Sequence, residues 1–541
     1  KEEADSWKTS FVLNGPLINN ILGLQLRGSY LDRQKSDRIP GTSGRDPRPS
    51  EADTYDVGGK ISFKMNDQNS FWVDAFQSSQ TYSNDGDRLG TQDTPSRARG
   101  YKDELEFNRE QYSLGHDGDY SFGKWSTYVS QTETETKGRT IPSGTFPKDS
   151  SNKDIYAGVD RNLKNTDLVA DTHIIAPIAN HILTVGAEYK KAKVADDIAG
   201  IGAEFDKDSY SFYAEDEWRL RENLAFTFGG RYEDHSGFGG QFSPRGYLVW
   251  NASDAWTFKG GVSTGYKAPS PKDLHDGIIS ISGQGTSLIV GNPELKPEES
   301  LNYELGFNYN NGNLDLTTTA FFNKIDNLIT DGPDLLNCSF TTTPNRPGCV
   351  SYGSHHLGDT FAQKINANEA ETKGIELSLK YQIIPEWDIK AAYTYMESEI
   401  TKGENKGSYL SNVPKNAFNM TSTWHINPAM DVWLQHEYKS ERKRYNTEQT
   451  SGDAALIYKA TGNKLNGYNL FNLGANYSLS DNVRITGAVN NLLDKDFTKN
   501  GSYTDANGDP ASYYDYMVIG SSMSGTYLPG RNYWLSISYD F

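Results

Sequence analysis

Apolar and polar residues alternate strictly in many short stretches of this chain. In one of them, Trp256, Phe258 and Val262 share one face, whereas Thr257 and Lys259 lie on the other. A period of two with one apolar face is typical of a β-strand that is half buried. Each stretch is about 10 residues long, which is the length that crosses a bilayer when the strand is tilted.

The alternation predicts 21 strands. Their approximate bounds, in chain order, are 7–13, 21–32, 55–65, 70–78, 107–116, 124–134, 165–175, 182–192, 209–220, 224–234, 242–251, 256–267, 298–310, 314–325, 361–382, 387–398, 414–425, 430–441, 466–479, 483–493 and 531–541.

Short and long connections between these strands alternate along the chain. The short ones are 66–68, 221–223, 252–254, 311–312 and 480–482. The long, polar ones are about 33–54, 79–107, 135–164, 268–297, 326–360, 442–466 and 494–530. A soluble sandwich or adhesin has no reason to keep its long loops on alternate turns, and a propeller would repeat a signature about every 40 residues. Short periplasmic turns and long external loops are typical of an all-β, up-and-down barrel in the outer membrane.

Composition agrees with a barrel and excludes other classes. The chain has 541 residues, a formal net charge of −18, 33 Tyr and 51 Gly. Its mean hydropathy is −0.69. Since no apolar run approaches the roughly 18 residues of a membrane-spanning helix, a helical membrane protein is excluded. An acidic chain is also a poor general ligand for nucleic acid, because the phosphate backbone repels it.

The chain has two cysteines, Cys338 and Cys349, which lie 11 positions apart in a stretch rich in Pro and Gly. In an exported chain that is otherwise free of cysteine, such a pair indicates a single disulfide. The alternative is two free thiols.

Several motifs resemble those of the TonB-dependent receptors. They are Gly265-Tyr266-Lys267-Ala268-Pro269, the run from Gly291 to Glu298 (GNPELKPE), the run from Ala488 to Asp496 (AVNNLLDKD), and the ending from Leu528 to Phe541 with its terminal aromatic residue. The stretch from Gly265 to Glu299, which includes Ser282-Gly283-Gln284-Gly285, is most similar to the colicin I receptor group of catecholate siderophore receptors.

The resemblance implies a barrel of the 22-stranded type, with an N-terminal plug and a short segment that binds TonB. Only about 21 strands are predicted here, so residues 1–541 are interpreted as the barrel domain, without its first strand, the plug or the TonB-binding segment. A truncated or cleaved sequence explains this most simply. A natural barrel without a plug is the alternative, although its first edge strand would lack an obvious partner.

The resemblance also implies a transporter with no permanently bound cofactor and no metal site, and the sequence contains no metal-ligand spacing or nucleophile motif. A ferric catecholate siderophore is an anionic object with aromatic edges, so Arg, Lys, Tyr and Trp in external loops are suited to it. The candidate ligand-binding residues are Arg38, Arg45, Arg88, Arg97, Arg99, Tyr101, Lys102, Lys267, Arg442, Arg444, Tyr445, Tyr513 and Tyr514. For each of them, the alternative is a solvated loop charge or a contact with lipopolysaccharide phosphate.

Two other functions stay open, a haem receptor and a passive porin. Haem receptors of the same family resemble both central motifs with a His between them, and His275 lies between them here. An imidazole at that place could be an axial haem ligand. A passive porin of about 16–18 strands would be shorter and would lack the receptor motifs. Nothing indicates an outer-membrane enzyme. Colicins or phages are further partners that the resemblance allows, beside the siderophore, TonB and lipopolysaccharide.

Overall fold

Nearly all regular structure in the protein is β-strand. The computed structural model describes residues 5–35, 51–87, 89–146, 150–151, 153–282, 287–353, 358–403, 405–409, 412–517 and 528–539. Within these residues, no helix is long and apolar enough to span a bilayer. The one α-helix that they contain, α1 (Gly452–Thr461), lies in an external loop.

The strands are, in chain order, β1 (Ser6–Ile18), β2 (Leu22–Arg33), β3 (Ala52–Lys64), β4 (Asn69–Ser83), β5 (Tyr101–Tyr120), β6 (Gly123–Arg139), β7 (Leu163–Ile178), β8 (His181–Asp196), β9 (Glu204–Arg221), β10 (Leu224–His235), β11 (Gly239–Asn251), β12 (Trp256–Lys267), β13 (Ile278–Ser282), β14 (Ser287–Val290), β15 (Glu298–Asn310), β16 (Leu314–Asp331), β17 (Leu335–Leu336), β18 (Thr360–Ile384), β19 (Trp387–Lys402), β20 (Asn416–Asn427), β21 (Met430–Lys439), β22 (Arg442–Lys443), β23 (Lys464–Leu465), β24 (Tyr468–Ser480), β25 (Val483–Asn490), β26 (Asn500–Thr504), β27 (Pro510–Tyr514) and β28 (Asn532–Tyr539).

One sheet of 24 strands contains the whole membrane-spanning part. Three of its members, β13, β14 and β17, are short segments within external loops, and the other 21 form an antiparallel meander in sequence order. Each of the 21 predicted strands overlaps one strand of this meander, so the predicted all-β, up-and-down barrel is confirmed. Among the described residues, β1 pairs with β2 alone and β28 pairs with β25 alone.

The turns at one end of the meander are short because their residues satisfy the backbone locally. The Asn66 side-chain oxygen accepts hydrogen bonds from the backbone N–H of Gln68 (2.9 Å) and Asn69 (2.8 Å), which closes the β3–β4 turn. Asn311 does the same for Leu314, next to Gly312 with φ +92°. Both are Asx-type turns. At the opposite end the connections are mostly long, as predicted.

Two external connections and the content of the long loops differ from the sequence-based expectation. Connections 197–203 and 236–238 are short although they lie at the external end. The long loops carry seven short strands and α1, none of which the alternation predicts. A strand of two to five residues is too short to show a clear alternation of apolar and polar residues, so the sequence pattern does not predict these segments.

The apolar face of the meander is exposed on the outside of the barrel. Phe212 and Phe242 are each 65% exposed, and Leu305 is 70% exposed. Leaving such side chains in water costs about 1.5–3 kcal/mol each relative to burial, whereas lipid removes that cost. The lumenal face is polar instead, as in the ion pairs of Arg231 with Glu188 and Glu233.

Outward-facing aromatic residues form two belts, one near each end of the strands. The upper girdle, near the long loops, consists of Tyr189, Tyr210, Phe212, Tyr232, Tyr303, Phe322, Tyr393, Tyr395, Phe418 and Tyr438. The lower girdle, near the short turns, consists of Phe63, Phe71, Trp218, Phe226, Trp250, Phe258, Trp256, Tyr309, Trp387 and Trp424. Paired girdles mark the two lipid–water interfaces of an outer-membrane barrel.

Candidate ligand-binding site

The external loops pack into three bodies above the upper girdle. The first loop body is formed by loops 84–100, 140–162 and 197–203, the second by loops 268–297 and 332–359, and the third by loops 440–467 and 491–517. The predicted ligand-binding residues that the structure describes lie in these bodies, except for Tyr101, Lys102 and Lys267, which lie at the adjoining ends of β5 and β12.

Asp93 organises the first loop body. Its carboxylate accepts hydrogen bonds from the backbone N–H of Arg99 (2.5 Å) and from the hydroxyl of Thr140 (2.6 Å), so that it joins two loops. The guanidinium carbon of Arg139 lies 3.9 Å from the ring centroid of Tyr101, which is a close cation–π contact. Tyr101 is therefore already stacked against a cation.

The first loop body also contains two ion pairs of opposite character. Arg161 donates to both carboxylate oxygens of Asp196 through Nε (2.8 Å) and Nη2 (2.7 Å), and the side chains are 8% and 0% exposed. Lys102 and Asp160 are 2.5 Å apart, but their side chains are 45% and 73% exposed. The second pair is screened by water and contributes little to stability.

The two receptor-like central motifs meet in the second loop body. The backbone N–H of Asn292 donates to the carbonyl oxygen of Asp273 (2.7 Å), and its side chain donates to the carbonyl of Lys364 on β18 (3.0 Å). Lys267 donates to Glu298 (3.3 Å), which also accepts a hydrogen bond from the backbone of Ile329. These contacts connect a loop to strands, so both motifs include a structural corner.

An apolar cluster and a disulfide hold the second loop body together. Phe361 is fully buried against Ile278, Leu288 and Val290. The strand β14 pairs in parallel with β18, which brings Leu288 opposite Phe361. A disulfide joins Cys338 to Cys349 with the Cα atoms 5.0 Å apart, so the predicted pairing is confirmed and the alternative of two free thiols is wrong.

Replacing both Cys338 and Cys349 with alanine should loosen loop 332–359 without unfolding the barrel. Closing a loop of this length constrains the unfolded chain by about 3 kcal/mol in the chain-entropy model. We expect chymotrypsin to cleave after Phe340, between the two cysteines, about a hundredfold faster in the variant, as mapped by mass spectrometry. Cleavage after Tyr156, in the first loop body, is the internal control. Equal acceleration at both sites would contradict a local role for the disulfide.

Aromatic residues form the centre of the third loop body. Phe497 is 1% exposed and packs edge-on against Tyr468 (5.0 Å between ring centroids) and Tyr516 (5.9 Å). Lys495 donates to the hydroxyl of Tyr516 (2.6 Å) and lies over its ring. The cluster therefore holds loop 491–517 against the start of β24, where loop 440–467 ends.

Arg442 and Arg444 cross between the same two loops. Arg442 donates to the carbonyl oxygen of Tyr516, and Arg444 donates to that of Tyr514 (2.5 Å). Both side chains are 7% exposed, and burial lowers the pKa of each guanidinium from its ordinary value. A guanidinium stays protonated all the same, so two positive charges lie here against carbonyls and rings.

Comparison with known proteins identifies the architecture. Residues 52–492 match the family model described as "TonB dependent receptor-like, beta-barrel". The chain belongs to this family. It is accordingly a multi-pass barrel of the bacterial outer membrane.

Two curated relatives of this TonB-dependent receptor match it along the whole of its length. The iron-regulated outer membrane virulence protein of Vibrio cholerae is 27% identical over 100% of the chain and 72% of the relative. The ferrienterobactin receptor of Escherichia coli K12 is 26% identical over 100% of the chain and 75% of the relative. A solved structure of the ferric enterobactin receptor of Pseudomonas aeruginosa, in complex with enterobactin, has a TM-score of 0.76 at 22% identity and covers 100% of the chain and 79% of that structure. This last likeness concerns the fold alone.

The predicted ligand residues of the receptor lie on three loop bodies and do not form one cluster. Arg97, Arg99, Tyr101 and Lys102 belong to the first body and its junction with β5; Lys267 and His275 belong to the second; Arg442, Arg444, Tyr445, Tyr513 and Tyr514 belong to the third. Arg38, Arg45 and Arg88 lie outside the described residues. Ligand contact by any of these residues stays a prediction.

The predicted alternative haem ligand is packed against a neighbouring ring. The rings of His275 and Phe205 are 4.7 Å apart between centroids. Within the described residues, no group of three or more His, Cys, Asp or Glu side chains could hold a metal ion.

Three cations that hold the loop bodies together are not among the residues predicted from the sequence. Arg139 stacks on Tyr101, Arg161 pairs with Asp196, and Lys495 contacts Tyr516. Lys495 could have been found, because it follows directly after the AVNNLLD run of a recognised motif. The other two have no local signal, since their partners are far away in sequence.

Proposed function

We propose that this receptor binds a ferric siderophore of the catecholate type in its external loops and that TonB energises the uptake. The observation that carries the proposal is the match of the whole chain to the ferrienterobactin receptor of Escherichia coli, at 26% identity. The proposed role is transport, with no catalytic step.

The chemistry of the loop bodies supports an anionic aromatic ligand. A ferric tris-catecholate carries a net charge of about −3 and presents ring edges, so cations and aromatic side chains can both contact it. The first and third loop bodies combine these groups, as in Arg139 over Tyr101 and Arg444 over Tyr513 (5.5 Å). A local cluster of cations such as Arg442-Lys443-Arg444, and not the net charge of the chain, favours the approach of anions to the third loop body.

The predicted ligand-binding residues differ in whether their side chains are free to contact a ligand. Arg97 and Lys102 are exposed or half exposed and can meet a ligand directly. The donors of Arg442 and Arg444 are already directed at the carbonyls of Tyr516 and Tyr514, so these two would act chiefly by positioning the segment 513–516.

Uptake by cells tests the proposal. The full-length gene, expressed in cells that lack their own catecholate receptors, should restore growth on a ferric catecholate under iron limitation, and deletion of TonB should abolish it.

The double variant Arg97→Gln/Lys102→Gln should bind the radiolabelled ferric catecholate about tenfold more weakly, because two charge-assisted contacts are lost. Lys64→Gln is the matched control, since Lys64 is paired with Asp67 at the periplasmic turn.

Three results would count against the proposal. Growth that persists without TonB indicates a passive channel. Growth on haemin that is lost in His275→Ala indicates a haem receptor. Normal binding by the Arg97→Gln/Lys102→Gln variant removes the first loop body from the ligand path.

A further inference from the structure

A lateral cleft of about 500 Å³ opens on the outer wall, between the external ends of β18 and β19 and the third loop body. It forms because β19 stops pairing with β20 at Tyr395, while β18 and β19 continue upward as a two-stranded ribbon. Residues on both sides of this gap line it, among them Lys373, Glu397, Tyr409, Lys415, Lys443 and Lys464.

The lower rim of the cleft is the upper girdle. Tyr395 lies opposite Ile375, whose side chain is 46% exposed on the lipid face. The Tyr395 hydroxyl donates to Glu397 (2.7 Å), and the ammonium of Lys415 lies 5.4 Å from the Tyr395 ring centroid. Because girdle tyrosines lie at the interface, the cleft begins at the level of the lipid headgroups of the outer leaflet.

The cations of the cleft are only partly neutralised. Lys415 pairs with Glu397, and Lys464 pairs with Glu441 at 3.2 Å. Lys373 is 3.8 Å from Glu397, at the limit of an ion pair. The ammonium of Lys443 faces the Tyr409 ring at 5.6 Å.

One buried guanidinium in the lining lacks a full set of partners. Arg442 is 7% exposed and donates to Asn412 (2.9 Å) and to the carbonyl of Tyr516, but its Nε is buried with no hydrogen-bond partner. Among the described residues, no carboxylate forms an ion pair with it. A buried charge without a counter-ion costs free energy, and an anion in the cleft would offset part of that cost by its electrostatic attraction to the guanidinium.

We propose that this lateral cleft binds the phosphorylated sugar headgroup of an outer-leaflet lipid. The phosphate contacts Lys373, Lys443 and the edge of Arg442. Glu397 and Glu399, which also line the cleft, accept hydrogen bonds from sugar hydroxyls. The acyl chains lie against the outward rings of Tyr393 and Phe418 below. This height, together with a lining that mixes cations with carboxylates, favours a lipid-borne phosphosugar over a free phosphate ion.

Binding of purified lipid A to the full chain in detergent micelles tests the cleft. The probe is fluorescent bisphosphorylated lipid A, and the variant is Lys373→Gln/Lys443→Gln. We expect the double variant to bind about tenfold more weakly or worse, as two charged contacts are lost. Lys64→Gln is the matched control: this lysine is paired with Asp67 at 2.7 Å in a periplasmic turn, at the opposite end of the barrel from the cleft lining, and its replacement should leave binding unchanged. Heat-modifiable gel mobility verifies that each variant is folded.

Four results of the same binding experiment would overturn the assignment of the cleft to a phosphorylated lipid. Equal affinity of the native chain and the double variant removes the cleft from lipid binding. Equal binding of dephosphorylated lipid A removes the phosphate contact. Displacement of lipid A by millimolar inorganic phosphate makes a free anion the ligand, and displacement by a ferric catecholate assigns the cleft to the transported ligand instead.

Discussion

Asp196→Asn should lower the free energy that keeps the first loop body closed by about 3–5 kcal/mol. Asp196 is fully buried and accepts two hydrogen bonds from Arg161 and one from the backbone of Ile198 (3.1 Å). Asparagine has nearly the same shape, so no cavity forms, but the Arg161 charge stays buried without its counter-ion. Removing one partner of a buried ion pair typically costs this much.

Amide hydrogen exchange within loop 140–162 measures how much more often this part of the first loop body opens in the variant. The amide of Ile141 donates to the carbonyl of Val159 (2.9 Å) and that of Gly158 donates to the carbonyl of Ile141 (2.9 Å), so both report separation of the two ends of loop 140–162. A loss of about 3 kcal/mol accelerates their exchange at least a hundredfold.

The exposed pair in the same body provides the control. Asp160→Asn removes the partner of Lys102, but the pair is largely in water, so we expect less than about 1 kcal/mol and less than a fivefold change in exchange. If the two asparagine variants exchange alike, burial of the Arg161–Asp196 pair is not what holds the body together.

Phe497→Ala should separate the two loops of the third loop body. The ring is almost completely buried between Tyr468 and Tyr516, and deletion of a buried Phe costs about 3–5 kcal/mol. Once the loops part, the hydrogen bonds of Arg442 and Arg444 to the Tyr516 and Tyr514 carbonyls are lost as well. Proteolysis within α1 should then accelerate by two orders of magnitude or more.

Phe497→Leu separates loss of packing from loss of the ring. It keeps most of the apolar volume, and a swap of this kind usually costs less than about 1.5 kcal/mol. Protease resistance of α1 should therefore be largely retained. If Phe497→Ala behaves like Phe497→Leu, the aromatic cluster is not the main contact between the loops.

The barrel could be predicted because each strand lies between two environments. One face of β12 meets lipid and the other meets the lumen, so Trp256, Phe258 and Val262 alternate with polar residues whatever the rest of the chain does. This local constraint made all 21 meander strands visible, and proximity in a chain with two cysteines made the Cys338–Cys349 disulfide visible.

The loops obey no such constraint. Arg442 and Arg444 are plain loop cations in the sequence, and only the packed structure directs them to carbonyls of Tyr516 and Tyr514, 74 and 70 positions along the chain. The same is true of β14, whose parallel partner β18 starts in another loop.

The sequence by itself determined the number and order of the 21 meander strands and their lipid-facing residues, since a two-residue period with one apolar face is imposed locally by the bilayer. The tertiary structure alone decided which external loops pack together, which cations donate their hydrogen bonds to neighbouring loops, and where a cleft opens above the upper girdle. Those outcomes depend on contacts between distant segments, and no period along the chain records them.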